Sequence, residues 1–185
     1  STKKFPLQIS LGVQGITLKE AISRNHPIDL KSYGQLFFLS LLSNPHDWKG
    51  DNLIVTKEGK IVGIDNDEAF YPVVYKNGEG HYLGIKNLIY VLEERKNPIP
   101  KEVVERFLRI YREIFVLEWQ VYLTERQKRW DALKEIGVFD TKHYNSAQLP
   151  VTFYGGGILN IFEKFSKIQT RLKDQESLPT PESIL

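Results

Sequence analysis

The sequence predicts a mainly helical α+β domain with one small β-hairpin. Apolar residues recur at helical spacing over most of the chain. A single pair of short apolar runs, 53–56 and 60–64, flanks the turn Lys57-Glu58-Gly59, as expected for a hairpin. The length of 185 residues suits one domain with a substantial core.

Composition excludes several classes of protein. The hydrophobic content of 41% and the charged content of 26% are those of an ordinary soluble domain. The net charge of +2 predicts no nucleic-acid partner, and the absence of cysteine excludes disulfides and Cys-ligated zinc. No apolar run approaches the roughly 20 residues that span a bilayer. We therefore expect a cytoplasmic protein, with peripheral contact to a membrane surface left open.

A short helix is predicted near the start of the chain. Gly12 and Gly15 mark a loop, and Thr17 with Glu20 three residues later forms a capping-box pattern. The helix is expected to extend to about Arg24.

A second, largely buried helix is predicted over about 30–43. Asp29 can cap its start, and Pro45 ends it. Its apolar residues recur every three or four positions: Leu30, Tyr33, Phe37 and Leu41.

After the hairpin, a loop rich in Tyr and Gly is predicted to about Gly80, followed by a helix over about 82–95. Helical periodicity resumes after two prolines and covers about 103–136, as one bent helix or two, with Gly137 as a stop.

The last part of the chain is predicted to contain one more helix. A loop is expected over 138–152, and three glycines precede a helix over about 158–175. The segment 176–185 has two prolines and few apolar residues, which predicts a disordered tail.

Four polar residues around the hairpin have a distinctive spacing. Lys49 follows Asp47 by two residues, and Asn52 follows it by five. Asp65 follows Asn52 by thirteen. Because the strands of a hairpin are antiparallel, we expect positions 52 and 65, at its open end, to lie close together.

These residue types suit phosphoryl transfer. Asp47 is a candidate base that orients the attacking hydroxyl, and Lys49 is a candidate cation facing the transferred phosphoryl group. Asn52 and Asp65 offer the amide and carboxylate oxygens that Mg²⁺ prefers, with Mn²⁺ as a substitute.

The run Asp47-Trp48-Lys49-Gly50-Asp51-Asn52-Leu53-Ile54-Val55 resembles the catalytic loop of the protein kinases, aspartate–x–Lys–x–x–Asn before an apolar strand. Both longer spacings match as well. Asp51-Asn52 with Ile64-Asp65-Asn66-Asp67-Glu68-Ala69-Phe70 is similar to the type II phosphatidylinositol 4-kinases.

The resemblance has clear departures. Asp67 stands where the phosphatidylinositol kinases have Gly, and Tyr71-Pro72 stands where they have Pro directly after Phe. Trp48 replaces the usual Arg after the catalytic Asp. His46 directly precedes that Asp, whereas the protein kinases have the histidine two residues before it.

The resemblance implies the C-terminal lobe of a protein-kinase-like, phosphoinositide-kinase-like fold over residues 1–175. The hinge and first helices would occupy 1–45, the catalytic loop and metal-binding hairpin 46–72, and the helical remainder 73–175. Gly15 would then lie near the adenine of bound ATP.

The N-terminal lobe is expected elsewhere. No glycine-rich phosphate loop or strand lysine precedes the motif, and the chain begins without Met at Ser1. We therefore expect a piece of a longer polypeptide, with the N-terminal lobe upstream or on another chain. The isolated chain is expected to be weakly active or inactive.

The sequence after Asp65 favours a lipid headgroup or small molecule over a peptide. It has no Ala-Pro-Glu, and only 66–81 precede the predicted helix as an activation-type loop. Lys76 and His81 in this loop are candidates to contact an anionic headgroup. The expected function is that of a phosphatidylinositol kinase that uses ATP and Mg²⁺.

Other functions stay open. The same motif fits a protein kinase or a small-molecule kinase, such as an aminoglycoside-phosphotransferase-like enzyme. It also fits a pseudokinase or binding module that keeps the fold without turnover. The resemblance extends to bacterial effector kinases, and an effector of that type would act in the host cytosol.

Overall fold

The structure is a computed structural model that describes residues 12–64, 69–70, 74–77, 80–83, 86–137 and 157–185. These residues divide into two compact units, one of Gly12–Ile110 with Glu163–Leu185 and the other within Tyr111–Phe162. Among the described residues, no helix is long and apolar enough to cross a membrane.

The first unit contains a three-stranded antiparallel sheet. Its strands are β1 (Ile16–Thr17), β2 (Leu53–Val55) and β3 (Ile61–Gly63), in the order β1-β2-β3. The predicted hairpin is β2–β3, in which Leu53 lies opposite Gly63. The sequence does not predict β1, because Ile16 pairs with Val55 in a distant part of the chain.

Both helices predicted before the hairpin are confirmed. They are α1 (Leu18–Ser23) and α2 (Leu30–Ser43). The side chain of Thr17 accepts from the N–H of Glu20 at 3.2 Å and caps α1. The side chain of Asp29 accepts from the N–H of Ser32 at 2.8 Å and caps α2.

The region after the sheet differs from the prediction. β4 (Val74–Asn77) and β5 (Gly80–Leu83) form a second hairpin, and short 3-10 helices follow at Leu88–Tyr90 and Glu93–Lys96. The predicted helix over 82–95 is therefore wrong. Leu83 pairs with Val74, and the side chain of Asn87 accepts from the N–H of Ile89, which favours a capped turn over a continuous helix.

Four helices lie in the described residues that follow, 97–137 and 157–185. They are α3 (Lys101–Leu108), α4 (Arg112–Glu135), α5 (Gly157–Lys173) and α6 (Pro181–Ile184). The periodicity over 103–136 belongs to two helices. At the C-terminal end of α3, the carbonyls of Phe107 and Ile110 accept from the side-chain amide of Gln169 at 3.2 and 2.9 Å. Gly137, with φ of 71°, follows α4 as the predicted stop.

The predicted disordered tail is wrong. Thr180 caps α6, in which Pro181 and Ile184 are buried. The carbonyl of Pro179 accepts from the N–H of Ile99 at 2.8 Å. The few apolar residues of this segment lie where a short helix can bury them, which average composition does not reveal. The loop predicted over 138–152 and the glycines before α5 at 155 and 156 lie outside the described residues.

The core of the first unit joins α2 to the C-terminal helices. Phe107 stacks between Phe38 and Phe165, with ring centroids 4.4 and 4.7 Å apart. Tyr33 and Phe37 of α2 are buried in the same cluster. Aromatic side chains bury large apolar areas, so this cluster holds α2 firmly at the point where the loop to β2 begins.

In the second unit, exposed side chains of α4 form hydrogen bonds and ion pairs with one another. The side chain of Gln127 donates to Asp131 at 3.0 Å, and Lys128 pairs with Glu125 at 2.9 Å. Bonds between residues three or four positions apart stabilise a helix by a few tenths of a kcal/mol each.

Candidate functional site

The candidate site is the loop 46–52, which connects α2 to β2. α2 ends where Asn44 adopts a left-handed φ of 39°, and Pro45 is buried directly after it. Leu53, the first residue of β2, is fully buried. Both ends of the loop are therefore anchored in the core.

Three of the predicted residues meet at the carboxylate of Asp47. The ammonium group of Lys49 donates to Oδ2 of Asp47 at 2.9 Å, and Nδ2 of Asn52 donates to the same oxygen at 2.8 Å. Nδ2 of Asn52 also donates to the backbone carbonyl of Asp47 at 2.9 Å. The spacings of two and five residues thus close a compact polar turn around one carboxylate.

This geometry assigns particular atoms to chemistry. Asn52 uses its amide nitrogen on Asp47, so its oxygen Oδ1 is the atom suited to bind a cation. The side chains of Asp47 and Lys49 are 36% and 59% exposed, so a substrate can reach both.

The same contacts lower the pKa of Asp47. The largest cause is the hydrogen bond from Lys49, and the charge of Lys49 and the hydrogen bond from Asn52 act in the same direction, against partial burial. Asp47 is therefore a carboxylate throughout the neutral range. That form can accept a hydrogen bond from a hydroxyl group.

Backbone hydrogen bonds from α1 and from Ile64, the residue after β3, hold the loop. The carbonyl of Gly50 accepts from the N–H of Lys19 at 3.3 Å, and a Cβ at Gly50 would lie 2.9 Å from the Cβ of Lys19. This close approach explains a glycine at this position. The carbonyl of Asn52 accepts from the N–H of Ile64 at 3.1 Å. The sequence does not indicate that Lys19 contacts this loop. The glycine at position 50 indicates only that another part of the chain packs closely against the motif.

The metal site is only partly within the described residues. Asp65 lies outside them. The N–H of its neighbour Ile64 donates to the backbone carbonyl of Asn52. No cluster of three His, Asp or Glu side chains suited to a metal ion occurs in the part of the chain that the structure describes, which leaves out 65–68. The assignment of Asn52 and Asp65 as metal ligands stays a prediction.

Gly15 packs against β2. A Cβ on Gly15 would lie 2.3 Å from the carbonyl oxygen of Val55. Val55 is three residues along the strand from Asn52, which is roughly 10 Å of extended chain. Close backbone packing accounts for a glycine here, and its predicted place near adenine stays a prediction.

Known proteins give no family assignment for this chain. It matches no protein-family model, no curated protein and no solved structure. The candidate site therefore rests on the spacing of the motif and on the geometry of the loop.

Lys76 and His81 occupy directly opposite positions of the β4–β5 hairpin. The structure thus brings these two backbone positions together, and their contact with an anionic headgroup stays a prediction.

Proposed function

We propose that this chain carries the catalytic loop of an ATP- and Mg²⁺-dependent phosphotransferase that acts on phosphatidylinositol. The fold proposed is the C-terminal lobe of a protein-kinase-like fold. The observation that carries the proposal is the pair of hydrogen bonds from Asn52 to Asp47. They orient the carboxylate of Asp47 and leave Oδ1 of Asn52 as the atom suited to bind a cation. The two residues have the spacing of a kinase catalytic loop.

The four residues of the motif have separate roles. The Asp47 carboxylate accepts a hydrogen bond from the acceptor hydroxyl and aligns it for in-line attack. Lys49 reduces the negative charge on the transferred phosphoryl group. Oδ1 of Asn52 and the carboxylate of Asp65 would hold Mg²⁺, which when bound neutralises charge on the nucleotide phosphates.

The proposal includes two partners. A nucleotide-binding lobe is supplied by the same polypeptide or by another chain, since the motif is that of one lobe alone. The lipid acceptor places the enzyme at the cytoplasmic surface of a membrane.

The lipid acceptor is supported by the similarity of Ile64-Asp65-Asn66 to the phosphatidylinositol kinases, and no longer by loop length. Because the predicted helix over 82–95 is replaced by β5 and 3-10 helices, the whole of 66–100 separates Asp65 from α3. A segment of that length also suits a peptide acceptor. A protein kinase is therefore the second candidate.

Transfer of radiolabelled phosphate from ATP tests the proposal. The longest natural polypeptide that contains this chain is incubated with Mg²⁺ and either phosphatidylinositol vesicles or casein. Labelled lipid supports the first candidate, and labelled protein without labelled lipid supports the second. No labelling of either acceptor rejects phosphotransfer to them.

A matched pair of variants assigns the activity to the loop. Asp47→Asn is expected to lower turnover by about 100-fold or more, because the hydroxyl loses its orienting carboxylate. Glu58→Gln removes an exposed carboxylate of the β2–β3 turn, outside the motif, and is expected to change turnover less than roughly threefold. Asp65→Ala is expected to abolish Mg²⁺-dependent turnover, and unchanged turnover in this variant rejects the metal assignment.

A further inference from the structure

The backbone of Trp48, which lies between Asp47 and Lys49, is bonded to a distant segment. Trp48 and Asn87 form a parallel β-bridge, and the N–H of Leu88 donates to the carbonyl of Trp48 at 3.1 Å. The Trp48 side chain is only 2% exposed and belongs to the core. Its side chain and its carbonyl are therefore both held.

The segment that holds Trp48 is itself anchored. Oδ1 of Asn87 accepts from the N–H of Ile89 at 2.9 Å, which closes the turn. The hydroxyl of Tyr33 in α2 donates to the carbonyl of Ile89 at 2.8 Å. Burial, with the charge of Glu94, raises the pKa of Tyr33 well above its usual value, so the hydroxyl stays a donor. The bond to Trp48 thus comes from a buried turn fixed to α2.

Only one half of the Asn87 side chain has a partner. Asn87 is 7% exposed, and its buried Nδ2 has no acceptor among the described residues. A buried donor without an acceptor is unfavourable. A serine at position 87 would keep an oxygen that can cap the turn and would lack the Nδ2 amide group. The oxygen of Asn87 is therefore the atom that matters for the turn.

We infer that Asn87 is a positioning residue for the Asp47–Lys49 pair. Its side-chain oxygen holds the turn that binds the Trp48 carbonyl, and the Trp48 peptide sets the direction of the side chains on either side of it. The importance of the pair for catalysis rests on the proposed function, whereas the positioning is a property of the folded chain.

Amide hydrogen exchange on the folded chain tests the positioning without an activity assay. Asn87→Ala is expected to speed exchange at the amides of Leu88 and Asn52 by about tenfold. The Leu88 amide is hydrogen-bonded to the loop, and the Asn52 amide is hydrogen-bonded within it. Asn87→Ser keeps a capping oxygen and is expected to exchange like the wild type. Asn97→Ala changes an exposed asparagine and serves as the control.

The carbon-13 chemical shift of the Asp47 carboxyl at one fixed neutral pH is the second readout. Asn87→Ala is expected to change this shift, because the contact with Lys49 loosens, and Asn87→Ser is expected to restore it. A general loss of stability does not move this shift in the folded protein. Should Asn87→Ala not fold, Tyr33→Phe removes one bond to the same turn and is expected to shift exchange in the same direction. Folded variants with unchanged exchange and an unchanged Asp47 carboxyl shift overturn the inference.

Phosphotransfer separates this inference from the proposed function. With an active wild type, Asn87→Ala is expected to lower kcat by about tenfold with little change in KM for ATP, and Asn87→Ser to recover it. A wild type that transfers no phosphate overturns the proposed function alone, since exchange and the Asp47 carboxyl shift decide the positioning.

Discussion

The amide nitrogen of Asn52 bridges the carboxylate and the backbone carbonyl of Asp47, at 2.8 and 2.9 Å. One side chain thereby closes the loop and fixes the direction of the carboxylate within it. The lysine between them completes the arrangement by pairing with the same carboxylate oxygen.

Removal of this bridge is expected to weaken the fold. Asn52→Ala deletes both hydrogen bonds to Asp47 and should lower the free energy of unfolding by about 1–2 kcal/mol. Urea denaturation measures the change. The exposed Asn97 provides the control, since Asn97→Ala should change the same quantity by less than about 0.5 kcal/mol. Equal effects of the two substitutions contradict a bridging role for Asn52.

Lys49→Ala is expected to raise the pKa of Asp47 towards its ordinary value. The hydrogen bond from Lys49 is the largest cause that lowers this pKa, and the charge of Lys49 adds to it. NMR titration of the carboxyl carbon measures the shift. Lys57→Ala removes an exposed lysine of the β2–β3 turn and should leave the titration unchanged.

Stability should depend on pH through the same pair. The pKa of Asp47 is lower in the folded chain, so the stability from its ionised form is complete above the unfolded pKa of about 3.9. That stability is lost as the pH falls through the lowered folded pKa. The difference in unfolding free energy between wild type and Lys49→Ala should therefore shrink in that acid range and stay constant near neutral pH. A difference that grows on acidification contradicts the assignment.

Gly15→Ala is expected to disturb the pairing of β1 with β2. The new Cβ would lie 2.3 Å from the carbonyl oxygen of Val55, so the strand must shift, at a cost of about 1–3 kcal/mol. Gly12→Ala meets no atom within 4 Å and should change stability by less than about 0.5 kcal/mol. Thermal denaturation compares the two variants. A stable Gly15→Ala protein with impaired ATP binding would instead support the place of Gly15 near adenine.

The C-terminal helix α6 is expected to contribute to stability. Ile184 is 4% exposed, so Ile184→Ala should lower the free energy of unfolding by about 2–5 kcal/mol. Leu185 is 58% exposed, and Leu185→Ala should have an effect below about 0.5 kcal/mol. Chemical denaturation of both variants checks the difference. If residues 176–185 were disordered, neither substitution would change the free energy of unfolding.

Local signals predicted the elements nearest the candidate site. The caps Thr17 and Asp29 begin α1 and α2, and Gly59, with φ of 80°, occurs in the turn between β2 and β3. Each signal acts between residues that are close in sequence, so periodicity and capping rules are sufficient to find it. The same rules place Asp47, Lys49 and Asn52 in one short loop, whose side chains the structure brings together.

Local patterns in the sequence are sufficient to predict the mainly helical α+β class, the β2–β3 hairpin and the spacing of the loop 46–52. Contacts between distant residues produce β1, the turn at 87–90 behind Trp48 and the burial of α6. The turn forms where the Tyr33 hydroxyl and the Trp48 carbonyl offer partners from distant parts of the chain. The free energy of such elements comes from burial and hydrogen bonds to distant residues, which a local pattern does not contain.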